Sequence, residues 1–161
     1  MIPEIEKNIY VRIKFTDNYL SITSKFIKDG EHTPIFKKNE ILNVFNDLGR
    51  PIRYIAGGAY VYRKSYENFD FELSSIITKN SPNLYIYIYK DGKLLDNRTT
   101  NIGSLLRYIP YNVELAESIN TKGFGLNSLE HLKFYLREML LLFDAFVAEY
   151  IKEIEAGNSP G

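Results

Sequence analysis

From Ile9 to Phe15 the chain reads IYVRIKF, with Ile9, Val11, Ile13 and Phe15 in one phase and Tyr10, Arg12 and Lys14 in the other. A two-residue period of this kind predicts a half-buried strand. Thr16 to Asn18 supply turn residues, and Leu20, Ile22, Ser24 and Phe26 resume the alternation, so a β-hairpin is predicted first, ended by Asp29-Gly30. The period then changes. Ile41, Leu42, Phe45 and Leu48 recur at helical spacing between Lys37 and Gly49, predicting a short amphipathic helix with Asn39 as N-cap and Gly49 past its end. Ile52–Ile55 and Ala59–Arg63 read as strand pieces parted by a bulge or sharp bend at Gly57-Gly58. Phe69 to Thr78 alternates again, with Phe69, Phe71, Leu73, Ser75 and Ile77 on one face.

The stretch NLYIYIYKDGKLLDNR, Asn83 to Arg98, is a hairpin with a two-residue Asp91-Gly92 turn of type I′. Its register pairs Tyr89 with Leu94, Tyr87 with Asp96 and Tyr85 with Arg98 on one face, leaving Leu84, Ile86, Ile88 and Leu95 for the core. Ile102 to Ile109 reads as a short helix capped by Asn101 and closed by Pro110. From an N-cap at Asn127 or Ser128, an apolar stripe through Leu129, Leu132, Leu136, Met139, Phe143, Phe146 and Tyr150 predicts a long C-terminal helix packed on the sheet. Arg137, Glu138, Asp144 and Glu149 interrupt it too often for a membrane span. Phe134 and Leu141 point away from that stripe, among Lys133, Arg137 and Glu138. They are covered either by one of two short helices of the same chain, that around Ile41 to Leu48 or the 102–109 segment, or by a second copy, so they are a candidate oligomer interface.

These elements predict an α+β fold: a mainly antiparallel sheet of five to seven strands, a long helix across one face, and one or two short helices. The 161 residues suit one domain over 1–155, with 156–161 read as a disordered tail. A composition 45% hydrophobic and 25% charged is that of a folded globule. The absence of cysteine excludes disulfides, thiolate nucleophiles and cysteine metal sites, and with no signal pattern at MIPEIEKNIY it suggests the cytoplasm. Twenty basic and twenty acidic side chains cancel, so no net field steers the chain to nucleic acid or to an anionic membrane. Residues 1–110 carry sixteen Lys/Arg against twelve Asp/Glu and residues 111–161 four against eight, an asymmetry read as attraction within one fold.

Catalytic and cofactor motifs are weak throughout. Gly123 to Ser128 precedes a helix but lacks the spacing of a phosphate loop and reads as a turn. His32 and His131 do not form a ligand pair, so neither metal nor cofactor is expected. Glu114 with Glu117, and Asp70 with Glu72, are spaced as carboxylate pairs but read as solvated charge. Serine nucleophiles lack an elbow motif or a histidine partner. Two surfaces remain. Lys37, Lys38, Arg50, Arg53, Arg63 and Lys64 interleave with Tyr54, Tyr60 and Tyr62, a mixture suited to stacking single-stranded bases. Tyr85, Tyr87 and Tyr89 with Asp96 and Arg98 form the stronger candidate, because tyrosine and arginine dominate protein-interface hot spots. The expected function is a non-enzymatic protein-binding domain, for example a bacterial toxin-neutralising immunity protein acting by direct inhibition. The alternative is a single-stranded nucleic-acid binder.

Overall fold

The chain opens with two helices in place of the predicted hairpin: α1 (Glu4–Arg12) and α2 (Phe15–Ser24). The N-terminal stretch satisfies two periods at once, since Ile2, Ile5, Ile9 and Ile13 also recur at three and four residues. Burial separates them. Ile9 and Tyr10, adjacent in sequence, are both buried, whereas Val11, on the core side of the predicted strand, is 49% exposed. Lys14, in the left-handed conformation at φ +53°, parts the two helices. Thr16, Asp17 and Asn18, read as a turn, therefore begin α2. The Thr16 hydroxyl donates to the Pro110 carbonyl at 2.6 Å and the Asp17 carboxylate accepts from the Asn112 amide at 2.8 Å, tying this end to a distant part of the chain.

The structure is a computed structural model that describes residues 1–27, 34–78, 80–158 and 160; the Asp29-Gly30 stop and His32 lie outside them. α3 (Lys38–Asp47) follows the predicted helix but starts before Asn39, because Glu40 reaches back to accept from the Lys37 amide at 2.9 Å. Its C-terminus closes on Gly49 at φ +68°, with the Gly49 and Arg50 amides bonding to the carbonyls of Asn46 and Phe45.

Five strands follow in chain order: β1 (Ile52–Ile55), β2 (Ala59–Tyr66), β3 (Phe69–Ile76), β4 (Asn83–Lys90) and β5 (Lys93–Leu94), all antiparallel to their neighbours. Gly57 and Gly58, at φ +103° and +95°, form the β1–β2 turn, and Asp91 and Gly92, at +52° and +74°, the β4–β5 turn. A 3-10 turn (Ile102–Arg107) begins where the Asn101 side chain accepts from the Ser104 amide, as predicted. α4 (Val113–Lys122), capped by Asn112, is absent from the sequence reading; none of its residues is fully buried, so its apolar signal is weak. The long helix α5 (Leu129–Glu155) starts on the Ser128 hydroxyl and ends in a glycine motif at Gly157 and Asn158.

The result is a two-layer α+β domain. Tyr60, Tyr62, Phe69, Phe71, Leu73, Ile86 and Ile88 share one sheet face by register, and α5 lies on it, with Phe143 against Tyr62 and Tyr150 against Phe69 and Phe71. Phe45 of α3 meets Tyr60 on the same side. α1 and α2 close the core over α5, where the rings of Tyr10 and Phe146 stack 4.8 Å apart. Among the described residues, no helix is long and apolar enough to cross a membrane.

Candidate functional site

Because every helix packs on one side, the register assigns the other sheet face a defined set of residues. Arg53 on β1, Val61 and Arg63 on β2, Asp70, Glu72 and Ser74 on β3, and Tyr85, Tyr87 and Tyr89 on β4 all point there. The three tyrosines are half-buried and take no part in the hydrophobic core. Tyr85 and Tyr87 stack with ring centroids 6.2 Å apart and planes within 9°. Arg63 lies over the Tyr89 ring at 5.6 Å.

Glu72 sits at the centre of this face, between Arg63 on one side and Tyr87 on the other. It is buried beneath its neighbours, which corrects the expectation that Asp70 and Glu72 are simply solvated. One Glu72 carboxylate oxygen accepts from Arg63 Nε at 2.8 Å and Nη2 at 2.6 Å, while Arg53 Nη2 stands off at 3.5 Å. Arg63 also reaches Asp70 at 3.6 Å, and Ser65 donates to the same Asp70 side chain. The Tyr87 and Tyr89 hydroxyls are both pushed above the usual tyrosine range, first by burial; after that Tyr85 and Glu72 act on Tyr87, and Glu72 on Tyr89. Removing Arg63 leaves a buried carboxylate whose remaining neighbours are Arg53 at 3.5 Å and the Tyr89 hydroxyl. Arg63→Ala is expected to cost about 2–3 kcal/mol, and Arg53→Ala about 1 kcal/mol or less, in urea denaturation.

The predicted tyrosine face is thus assembled, but with different charges. Tyr89 pairs with Leu94 as the Asp91-Gly92 turn dictates, and there the regular strand stops. Tyr85 bridges Asn101, three residues beyond the predicted Arg98, and the Ile86 amide bonds to the Thr100 carbonyl. The extra residues are taken up around Asn97, at φ +55°. An odd shift changes the face on which a side chain emerges. Arg98 turns inward, where its guanidinium, 1% exposed, donates to both Glu6 oxygens at 2.7 and 2.9 Å and to the Ile86 carbonyl at 2.6 Å. Asp96 stays exposed, beside a depression of about 190 Å³ that it shares with Pro3, Glu6 and Arg98.

The basic-aromatic neighbourhood divides between the two layers. Arg53 and Arg63 join the tyrosine face. Arg50 covers Tyr62 on the helix side and forms a paired hydrogen bond to Asp144 at 2.7 and 3.1 Å, with Lys64 on the same carboxylate at 3.0 Å. Lys38 lies over Tyr54 at 4.0 Å. The joining of Arg63 to Glu72 was open to sequence reasoning, because a two-residue turn at Glu67-Asn68 sets that register; Glu67, at φ +51°, gives no glycine signal.

The remaining candidates resolve into structural roles. The amides of Gly125 and Leu126 bond to the carbonyls of Phe26 and Asn80, Asn127 donates to His131 Nδ1 at 3.4 Å, and the His131 amide donates to Ser128, so this turn offers no cradle for phosphate. Glu114 and Glu117 are exposed on α4. Phe134 packs on Phe26 at the end of α2, between Lys25 and Arg137, which covers it by an element other than the two short helices considered. Leu141 is 51% exposed at the rim of a cavity of about 390 Å³ shared with Leu48, Lys133 and Arg137. Among the described residues, no group of three or more His, Cys, Asp or Glu side chains is placed to hold a metal ion.

The fold and this face define the class of molecule: a two-layer α+β domain with one sheet face left open. Comparison with protein families, curated proteins and solved structures finds no match to the chain.

Proposed function

We propose that this chain is a protein-binding domain that works without catalysis, docking the open sheet face against a partner protein. The observation that carries this reading is one face holding three half-buried tyrosines and two arginines around a buried carboxylate, with no helix among the described residues laid over it. Tyrosine and arginine contribute large contact area with polar tips that remain satisfied when water is excluded. The face is pre-organised by its own ion pairs, so little side-chain entropy remains to be lost on docking. Within this class we favour an inhibitor, such as a toxin-neutralising immunity protein, because a rigid neutral face suits stoichiometric cover of another protein's active site.

The stacked Tyr85–Tyr87 pair also suits single-stranded nucleic acid, the second reading. Charge argues against it. Arg53 and Arg63 face Asp70 and Glu72, which leaves no positive excess for phosphate. Co-expression with the products of neighbouring genes is expected to yield a stoichiometric complex, weakened at least ten-fold by Tyr87→Ala. A complex indifferent to Tyr87→Ala, or none at all, removes the reading. Retention of single-stranded RNA at about 50 mM salt, abolished by Tyr87→Ala, establishes the alternative instead.

A further inference from the structure

The two edges of the sheet are treated differently. Along β4 the irregular segment after β5 closes the edge: the Leu95 amide bonds to the Ile88 carbonyl, the Ile86 amide to Thr100, and the Arg98 guanidinium to the Ile86 carbonyl. The other edge is β1, and among the described residues its backbone bonds only to β2. An unpaired strand edge is a template for another extended segment.

The surroundings of β1 specify what such a segment would carry. A cavity of about 300 Å³ opens beside the edge on the tyrosine-bearing face, lined by Pro51, Ile52, Arg53, Val61, Arg63 and Glu72. Glu72 is already served by Arg63 at 2.6 Å, whereas Arg53 approaches no closer than 3.5 Å and is 63% exposed. Arg53 is therefore the less committed of the two arginines, and its guanidinium keeps donors available for a second carboxylate. Ile55, two residues along on the same face, is 44% exposed. We infer that one extended segment of the partner that covers the open face adds to β1 as a sixth strand, with side chains on the tyrosine-bearing side that are an Asp or Glu opposite Arg53 and an apolar residue opposite Ile55. Alternation makes these two residues apart: apolar first if the added strand is antiparallel to β1, acidic first if parallel. This rests on the protein-binding reading above and names the chemistry of the partner.

The test is selection of a displayed random 12-residue peptide library against the full chain. The expected consensus is an acidic and an apolar residue two apart. Binding of a selected peptide should fall at least ten-fold in Arg53→Glu, persist in Tyr87→Ala, and slow hydrogen exchange of amides within β1. Arg53 is 63% exposed and shares Glu72 with Arg63, so Arg53→Ala, which brings no second carboxylate to Glu72, is the control that keeps the fold and should weaken the peptide in the same direction. Selection that returns no peptides, or peptides without the acidic residue, overturns strand addition; so does binding unchanged by Arg53→Glu. If the selected peptides bind through Tyr87 instead, the open-face reading stands while the β1 proposal falls.

Discussion

Phe146→Ala is expected to destabilise the domain by about 3–5 kcal/mol, the range for deleting a fully buried phenylalanine whose site cannot collapse. The Phe146 ring stacks on Tyr10 at 4.8 Å, meets Phe15 edge-on at 6.5 Å and touches Tyr150 at 5.9 Å, so it joins α1, α2 and α5 at one point. No neighbour can fill the space without leaving its own contact, and the transfer and cavity costs therefore add. Stability of a domain is about 5–15 kcal/mol in total, so a loss this size removes about a fifth of it at the least. Urea denaturation followed by circular dichroism measures the shift in midpoint. A loss below about 1 kcal/mol would mean that the N-terminal helices do not pack on α5.

The second large effect lies in the Glu6–Arg98 pair, whose side chains are 2% and 1% exposed. Burial alone would lower the Arg98 pKa; the Glu6 carboxylate outweighs it and holds the guanidinium above its ordinary value. Glu6→Ala or Arg98→Ala strands the surviving charge away from water and is expected to cost about 3–5 kcal/mol. Arg98→Ala also orphans the Ile86 carbonyl and so releases the closure of the β4 edge. The double variant Glu6→Leu with Arg98→Met removes both charges and keeps the volume, and it is expected to recover most of the loss. A Glu6→Ala, Arg98→Ala double variant whose loss equals the sum of the two single losses would show that the charges are not coupled. Since Glu6 and Arg98 anchor α1 to the segment after β5, the pair is a structural tie, and Arg98 does not belong to the tyrosine face.

How far the fold was legible depended on how local its determinants are. The register at Asp91-Gly92 was readable because two residues with positive φ set the turn, and nothing distant intervenes before Leu94. The Ser128 cap and the stripe of α5 were readable for the same reason, since a helix of 27 residues repeats its pattern through many turns. Ile9 to Phe15 suits both periods because seven residues fit a strand and a helix equally, and the residue that packs on Tyr10 and Phe15 to choose between them, Phe146, lies far along the chain. α4 was missed because a helix lying on the surface of another helix buries little.

The candidate face shows the same division. Alternation along Asn83–Lys90 is enough to put Tyr85, Tyr87 and Tyr89 on one side of a strand, because it is a property of the extended backbone. The change of period from two to three and four residues sets the α+β class as well. Which charges accompany those rings depends on contacts between distant parts of the chain. Arg63 reaches Glu72 through a turn without glycine, Arg53 arrives from an edge strand, and Arg98 leaves the face because a left-handed Asn97 shifts the chain and Glu6, 92 positions away, supplies a buried partner. Side-chain direction follows from local geometry, whereas the pairing of charges follows from which surfaces the whole chain brings together.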